Sequence, residues 1–129
     1  MTTPEDRLRS ICWGGELLEA MQQDATLPMD WRDAAGKIGA DYPSKSSLLE
    51  LLATQTDGFP NPAGQTIEHA RNLFESMLGA ASCSADIRRH LLYTMRHFPA
   101  AGWSKHADRA ARLGNLDEWL ASDDPAPLA

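Results

Sequence analysis

The side chains best suited to chemistry in this 129-residue sequence are four histidines, His69, His90, His97 and His106, and two cysteines, Cys12 and Cys83. His90 and His97 stand seven apart, with Asp86 one turn before His90, so a helix would set an Asp–His–His line on one face. Seven residues of helix rise by about 10 Å, too far for one ion to bridge both imidazoles. No His-Glu-x-x-His or Glu-x-x-His pair is present. Both cysteines fall in helical or capping context, outside any metal-type cluster, and read as reduced thiols rather than a disulfide or redox pair. There is no glycine-flanked serine elbow, and Trp13-Gly14-Gly15 lacks the Lys-Ser/Thr ending of a phosphate loop. The expectation is a protein with no catalytic residue, no cofactor and no metal.

Binding chemistry is better represented. Trp13, Trp31, Trp103 and Trp119 are many tryptophans for one small core, and Trp and Arg are the residues enriched at binding hot spots. Trp103 follows a loop proline and glycine, and Trp119 lies on a last short amphipathic segment. With Arg109 and Arg112 beside them they form the expected partner surface, extended by Arg88 and Arg96. The competing reading makes both tryptophans lids on the core.

Charge is unevenly spread. The net charge is −6, yet residues 84–114 carry Arg88, Arg89, Arg96, Lys105, Arg109 and Arg112 against only Asp86 and Asp108. Residues 1–64 carry ten acids and five bases. Such polarity steers a partner or promotes head-to-tail association, and the basic face of residues 88–112 is also an alternative nucleic-acid site. Against nucleic acid stand the acidic balance of the whole and a connection holding Pro99, Gly102 and Trp103 between the two basic helices. With 23% charged and 43% hydrophobic residues the composition is that of a globular chain. The polar, acidic opening has no signal-peptide character, and no apolar run approaches the ~20 residues of a membrane span. A cytoplasmic protein without a membrane partner is expected.

The elements that must position these groups read as helices. Thr3 is an N-cap with Pro4 at N1 and Glu5 and Asp6 in the first turn. Leu8, Ile11, Cys12, Leu18 and Met21 form the stripe of that helix, and Gly14-Gly15 within it predicts a kink or, preferably, close approach of another backbone. Pro28 opens a second helix burying Trp31, Ala35, Ile38 and Tyr42, and Pro43 stops it. A short helix over 46–53 follows, then a loop from Thr54 to Gly64 with Phe59 plugged against the core. Thr66 is expected to cap a helix with Ile67, Ala70, Phe74, Met77 and Leu78 inward. Ser84 caps the next, with Ile87, Leu91, Met95 and Phe98 inward and Pro99 as its stop. A basic helix over 104–113, a short turn at Leu116–Leu120 and a disordered tail at 122–129 complete the reading.

The chain also resembles itself at an offset of 56 residues. Ile11 falls on Ile67, Leu17 on Leu73, Glu19 on Glu75, Met21 on Met77, Asp30 on Asp86, Arg32 on Arg88 and Pro43 on Pro99. Leu18 matches Phe74, Trp31 matches Ile87 and Tyr42 matches Phe98 conservatively. The expected fold is therefore one all-α domain over residues 1–121, of about six helices. Two similar helix-turn-helix halves, about 8–53 and 64–113, pack as a small bundle.

Three features, the opening Met-Thr-Thr-Pro-Glu-Asp-Arg, the Glu16-Leu17-Leu18-Glu19 helix and a second helix ending in Tyr42-Pro43, resemble an uncharacterised family of small proteobacterial helical proteins. That family's second helix is more basic, ending leucine-arginine-histidine-tyrosine-proline. Here Ile38-Gly39-Ala40-Asp41 precedes Tyr42-Pro43, and Met95-Arg96-His97-Phe98-Pro99 is the closer match. The resemblance covers under half the chain and implies a bacterial source and a helical fold, with no activity. By class analogy, small acidic bacterial proteins of this kind antagonise regulators, as anti-activators of transcription factors such as quorum-sensing types do. The functional expectation is a non-enzymatic, homodimeric regulatory protein that binds and inhibits a partner protein, possible transcription regulators included.

Overall fold

A computed structural model describes residues 3–44, 46–47, 50, 61–79 and 84–99, and all of its regular structure is helical. Four helices are bounded: α1 (Pro4–Gln23), α2 (Met29–Asp41), α3 (Asn61–Leu78) and α4 (Ala85–Met95). Ser46, Ser47 and Glu50 are helical as well. The segments expected as helices at 104–113 and 116–120, Phe59, Cys83 and the tail lie outside the described residues. None of the described helices is long and apolar enough to cross a membrane.

The start of α1 is a capping box. Thr3 Oγ1 accepts from the Asp6 N–H at 3.0 Å and the Asp6 carboxylate accepts from the Thr3 N–H at 3.3 Å. These bonds hold the Asp6 carboxyl below its ordinary pKa, backbone bond foremost, aided by His97 and Arg9. From that start, Leu8, Ile11, Gly14, Leu18 and Met21 recur at helical spacing and are buried, with Leu17 beside them. Burying each leucine or isoleucine contributes about 1.5–3 kcal/mol. The same core receives Ala35 from α2, Ile67, Ala70, Phe74 and Met77 from α3, and Ile87 and Leu91 from α4.

Packing is reciprocal. α1 lies against both α2 and α4, and α2 also packs on α3, whereas α3 meets α4 more sparingly. Two polar ties set α1 antiparallel to α4. At one end Ser84 Oγ donates to Asp24 Oδ2 (3.0 Å) while capping α4 by accepting from the Ile87 N–H (3.3 Å). At the other, the buried guanidinium of Arg7 donates to the His97 carbonyl at 2.7 Å. Arg71 of α3 donates to the next two carbonyls, Phe98 at 3.2 Å and Pro99 at 2.8 Å, and pairs with Glu75 at 2.9 Å. Arginines from two helices thus satisfy carbonyls of the segment that follows α4.

Two expectations are corrected. Helix α3 begins at Asn61, so Thr66 is an interior, buried residue and not an N-cap, and the expected loop ends before Asn61. Pro62 and Gly64 misled because both are loop formers, yet a proline in a first turn sacrifices no intrahelical bond. The second concerns Gly14 and Gly15. α1 runs unbroken through both, and what approaches is not backbone but aromatic rings. A Cβ on Gly14 would stand 2.6 Å from the Tyr42 hydroxyl and 2.7 Å from Phe98 Cε1, and one on Gly15 would stand 3.1 Å from the Tyr42 ring.

Candidate partner-binding site

Beside the buried stripe of α1, Asp6, Arg9 and Trp13 follow one another at spacings of three and four, on one helical face. α4, held antiparallel alongside by the Arg7 and Ser84 ties, presents Tyr93, Arg96 and His97 to that face. The six side chains line a cleft of about 250 Å³. Its wall is aromatic: the Trp13 and Tyr93 rings meet edge to face at 4.8 Å, and His90 stacks on Tyr93 at 4.9 Å. The Arg9 guanidinium carbon lies 6.0 Å from the Trp13 ring centre, at the outer limit of a cation–π contact. Leu92, 55% exposed, stands one turn before Arg96 on α4, next to Tyr93 at 39%.

Among the described residues neither Arg9 nor Arg96 forms an ion pair, and both are exposed. Asp6, the acid of the cleft, is committed to the Thr3 N–H. Burial depresses the His90 pKa below its ordinary value against the opposing pull of the Trp13 carbonyl and Glu16, and its buried Nε2 has no hydrogen-bond partner among the described residues. Burial, with Glu16, raises the Tyr93 phenol. The groups gathered here can grip a single anionic group and cover an apolar one. They include no nucleophile with a base.

A second depression, wide and open, lies across the α1–α2 seam and is lined by Gln22, Met29, Arg32, Asp33, Gly36 and Lys37. One Arg32 nitrogen donates to the Gln22 carbonyl at 3.3 Å, and Met29 is largely exposed. Its charges are of mixed sign and do not converge.

Of the residues expected to bind a partner, Arg96 lines the α1–α4 cleft, whereas Arg88 is half-buried on the same helix and does not. Trp103, Trp119, Arg109 and Arg112 lie outside the described residues. Of the histidines, His97 enters the cleft, His90 backs it, and His69 is exposed on α3. No three His, Cys, Asp or Glu side chains gather as metal ligands among the described residues. Sequence reasoning missed Arg9, Trp13, Leu92 and Tyr93. The spacing of Asp6, Arg9 and Trp13 marks a face, but that α4 lies along it is set by the long-range ties of Arg7 and Ser84.

Comparison with protein-family models, with curated proteins and with solved structures finds no match for this chain.

Proposed function

We propose that this protein is a non-enzymatic regulator that binds a partner protein and restrains it, in the manner of a bacterial anti-activator of a transcription factor. The observation that carries the reading is the α1–α4 face. There an exposed Leu92 and an edge-to-face Trp13–Tyr93 pair are bordered by Arg9 and Arg96, whose guanidiniums form no ion pair among the described residues. Aromatic rings and arginines around a desolvated patch are the composition of interaction hot spots. Trp103, Trp119, Arg109 and Arg112, which lie outside the described residues, are further partner-binding residues in this reading.

The architecture proposed with it is a duplicated helical hairpin completed to about six helices. Displaced by 56 residues, α1 covers 60–79 and α2 covers 85–97, against observed bounds of Asn61–Leu78 and Ala85–Met95. Matched positions share burial: Ile11 and Ile67, Leu18 and Phe74, Met21 and Met77, and Ala35 and Leu91. A chain built on such internal pairing extends naturally to a homodimer.

The test is an affinity pull-down of the tagged protein from its own cell lysate, with and without nuclease, read by mass spectrometry. One stoichiometric protein surviving nuclease is the expected result. Recovery that vanishes with nuclease or moderate salt would put the basic face of residues 88–112 and nucleic acid in its place.

A further inference from the structure

We infer that the cleft between α1 and α4 is a receptor for an acidic, apolar peptide segment of the partner. A carboxylate is gripped between Arg9 and Arg96, and the neighbouring apolar side chain lies on Trp13, Tyr93 and Leu92. The inference rests on the partner-binding reading and adds the chemistry of what is bound.

Size and charge select this occupant. About 250 Å³ is below the usual range for a small-molecule pocket, roughly 300–1,000 Å³, and suits one or two side chains of a larger ligand. Two guanidiniums that form no ion pair among the described residues line the cleft, and a carboxylate is the group they match in a forked geometry. Beside them are two aromatic rings and an exposed leucine, which an apolar neighbour of that carboxylate would cover.

A densely charged polyanion fits poorly. Asp6 lies in the cleft lining, Glu16 is close enough to act on His90 and Tyr93, and the whole chain carries −6. Together with Asp6, one incoming carboxylate balances the two guanidiniums, whereas a run of phosphates meets Asp6 and Glu16 as like charges.

The probe is a short dye-labelled peptide alternating glutamate and phenylalanine, titrated with the full-length protein and followed by fluorescence anisotropy. Its comparators are the same peptide with lysine in place of glutamate, inorganic phosphate as a competitor, and a single-stranded oligonucleotide. Saturable binding of the glutamate peptide alone is expected, weakening with salt. Arg9→Glu and Arg96→Glu should each weaken it about tenfold while leaving the helical circular dichroism and the urea midpoint in place. Arg9→Gln and Arg96→Gln, expected to weaken binding by less, stand in should a reversal disturb the fold. No binding, equal binding of the lysine peptide or the oligonucleotide, displacement by phosphate, or affinity unchanged in the arginine variants would each overturn the assignment. A partner captured from lysate equally well by the arginine variants would sink this site and leave the regulatory reading standing. Peptide binding with no captured partner would do the reverse.

Discussion

The hydroxyl of Tyr42, at the end of α2, donates to the carbonyl of Ile11 at 2.5 Å and crosses α1 directly over Gly14. Phe98, arriving from the end of α4, presses on the same glycine and sits edge to face with Phe74 at 5.4 Å. Two aromatic residues, each followed by a proline and 56 positions apart, therefore share one socket made by a missing side chain. Burial next to Cys12 raises the Tyr42 phenol well above its ordinary range, so it remains a donor at any working pH.

Gly14→Ala should accordingly destabilise the protein although alanine is the better helix former by about 1 kcal/mol. A methyl 2.6 Å from one ring's oxygen and 2.7 Å from the other ring's carbon must displace buried aromatics. Overpacking of that kind costs about 1–3 kcal/mol. Gly36→Ala is the contrasting case. Its Cβ would meet only the Gln22 amide, at 3.6 Å, and a gain of about 0.5–1 kcal/mol is expected. Urea midpoints of the two variants, moving in opposite directions, check the pair.

Arg7 and Arg71 should prove coupled. Both act on the carbonyls of residues 97–99, one from α1 and one from α3. Arg7→Met leaves a buried carbonyl short of its charged donor, at a cost of about 1–3 kcal/mol, and Arg71→Met removes two such bonds from a more exposed setting. Since either loss frees the same stretch, the double variant should cost less than the two single costs together. A double-mutant cycle by urea denaturation measures this, and strict additivity would show that the stretch is held elsewhere.

Much of this frame was legible in the sequence. Local chemistry was sufficient for the starts of α1 and α4 and the end of α2, because Thr3, Ser84 and Pro43 act on backbone within a turn of themselves, whereas α4 ends at Met95, short of the expected Phe98. The buried stripes followed from helical spacing, except that Leu78, expected inward on α3, is exposed at the helix end. The start of α3 did not, because Pro62 and Gly64 carry loop signals that a helix's first turn tolerates. Nor did the cleft. Gly14 announced a close approach without naming its visitors, and Trp13 looked like one tryptophan among four until α4 set Tyr93 against it. Arg7 gave no sign of being buried, since its partner lies 90 residues away.

Ser84→Ala should cost more than Thr3→Ala, although both residues cap a helix. Thr3 caps an exposed helix start, where the loss is about 1 kcal/mol. Ser84 caps α4 and also donates to Asp24, whose other oxygen takes the Thr26 N–H at 2.9 Å and hydroxyl at 2.6 Å. Its removal loosens the joint between the end of α1 and the start of α4, and about 2 kcal/mol is expected. Equal losses, read from thermal unfolding, would mean that the Asp24 contact contributes nothing.

His90 sets the direction of the acid response near neutrality. Its pKa lies below the ordinary 6.5 in the folded state because burial disfavours the imidazolium. The unfolded chain then binds the proton first, so folding loses stability as pH falls below about 6.5, and is unaffected by this group above it. The loss continues down to the folded-state value. Asp6 and Asp24 act lower: hydrogen bonds depress both, so their contribution holds above the ordinary 3.8 and disappears only in stronger acid. The chain holds three further histidines, His69, His97 and His106, so the diagnostic quantity is a difference between proteins. Urea midpoints of the wild type and of His90→Gln, compared from pH 7.5 to 5, should diverge as the pH falls, with the wild type declining more steeply. Parallel curves would mean that His90 is as solvated in the folded chain as in the unfolded one, and that the Tyr93 stack leaves it open to water.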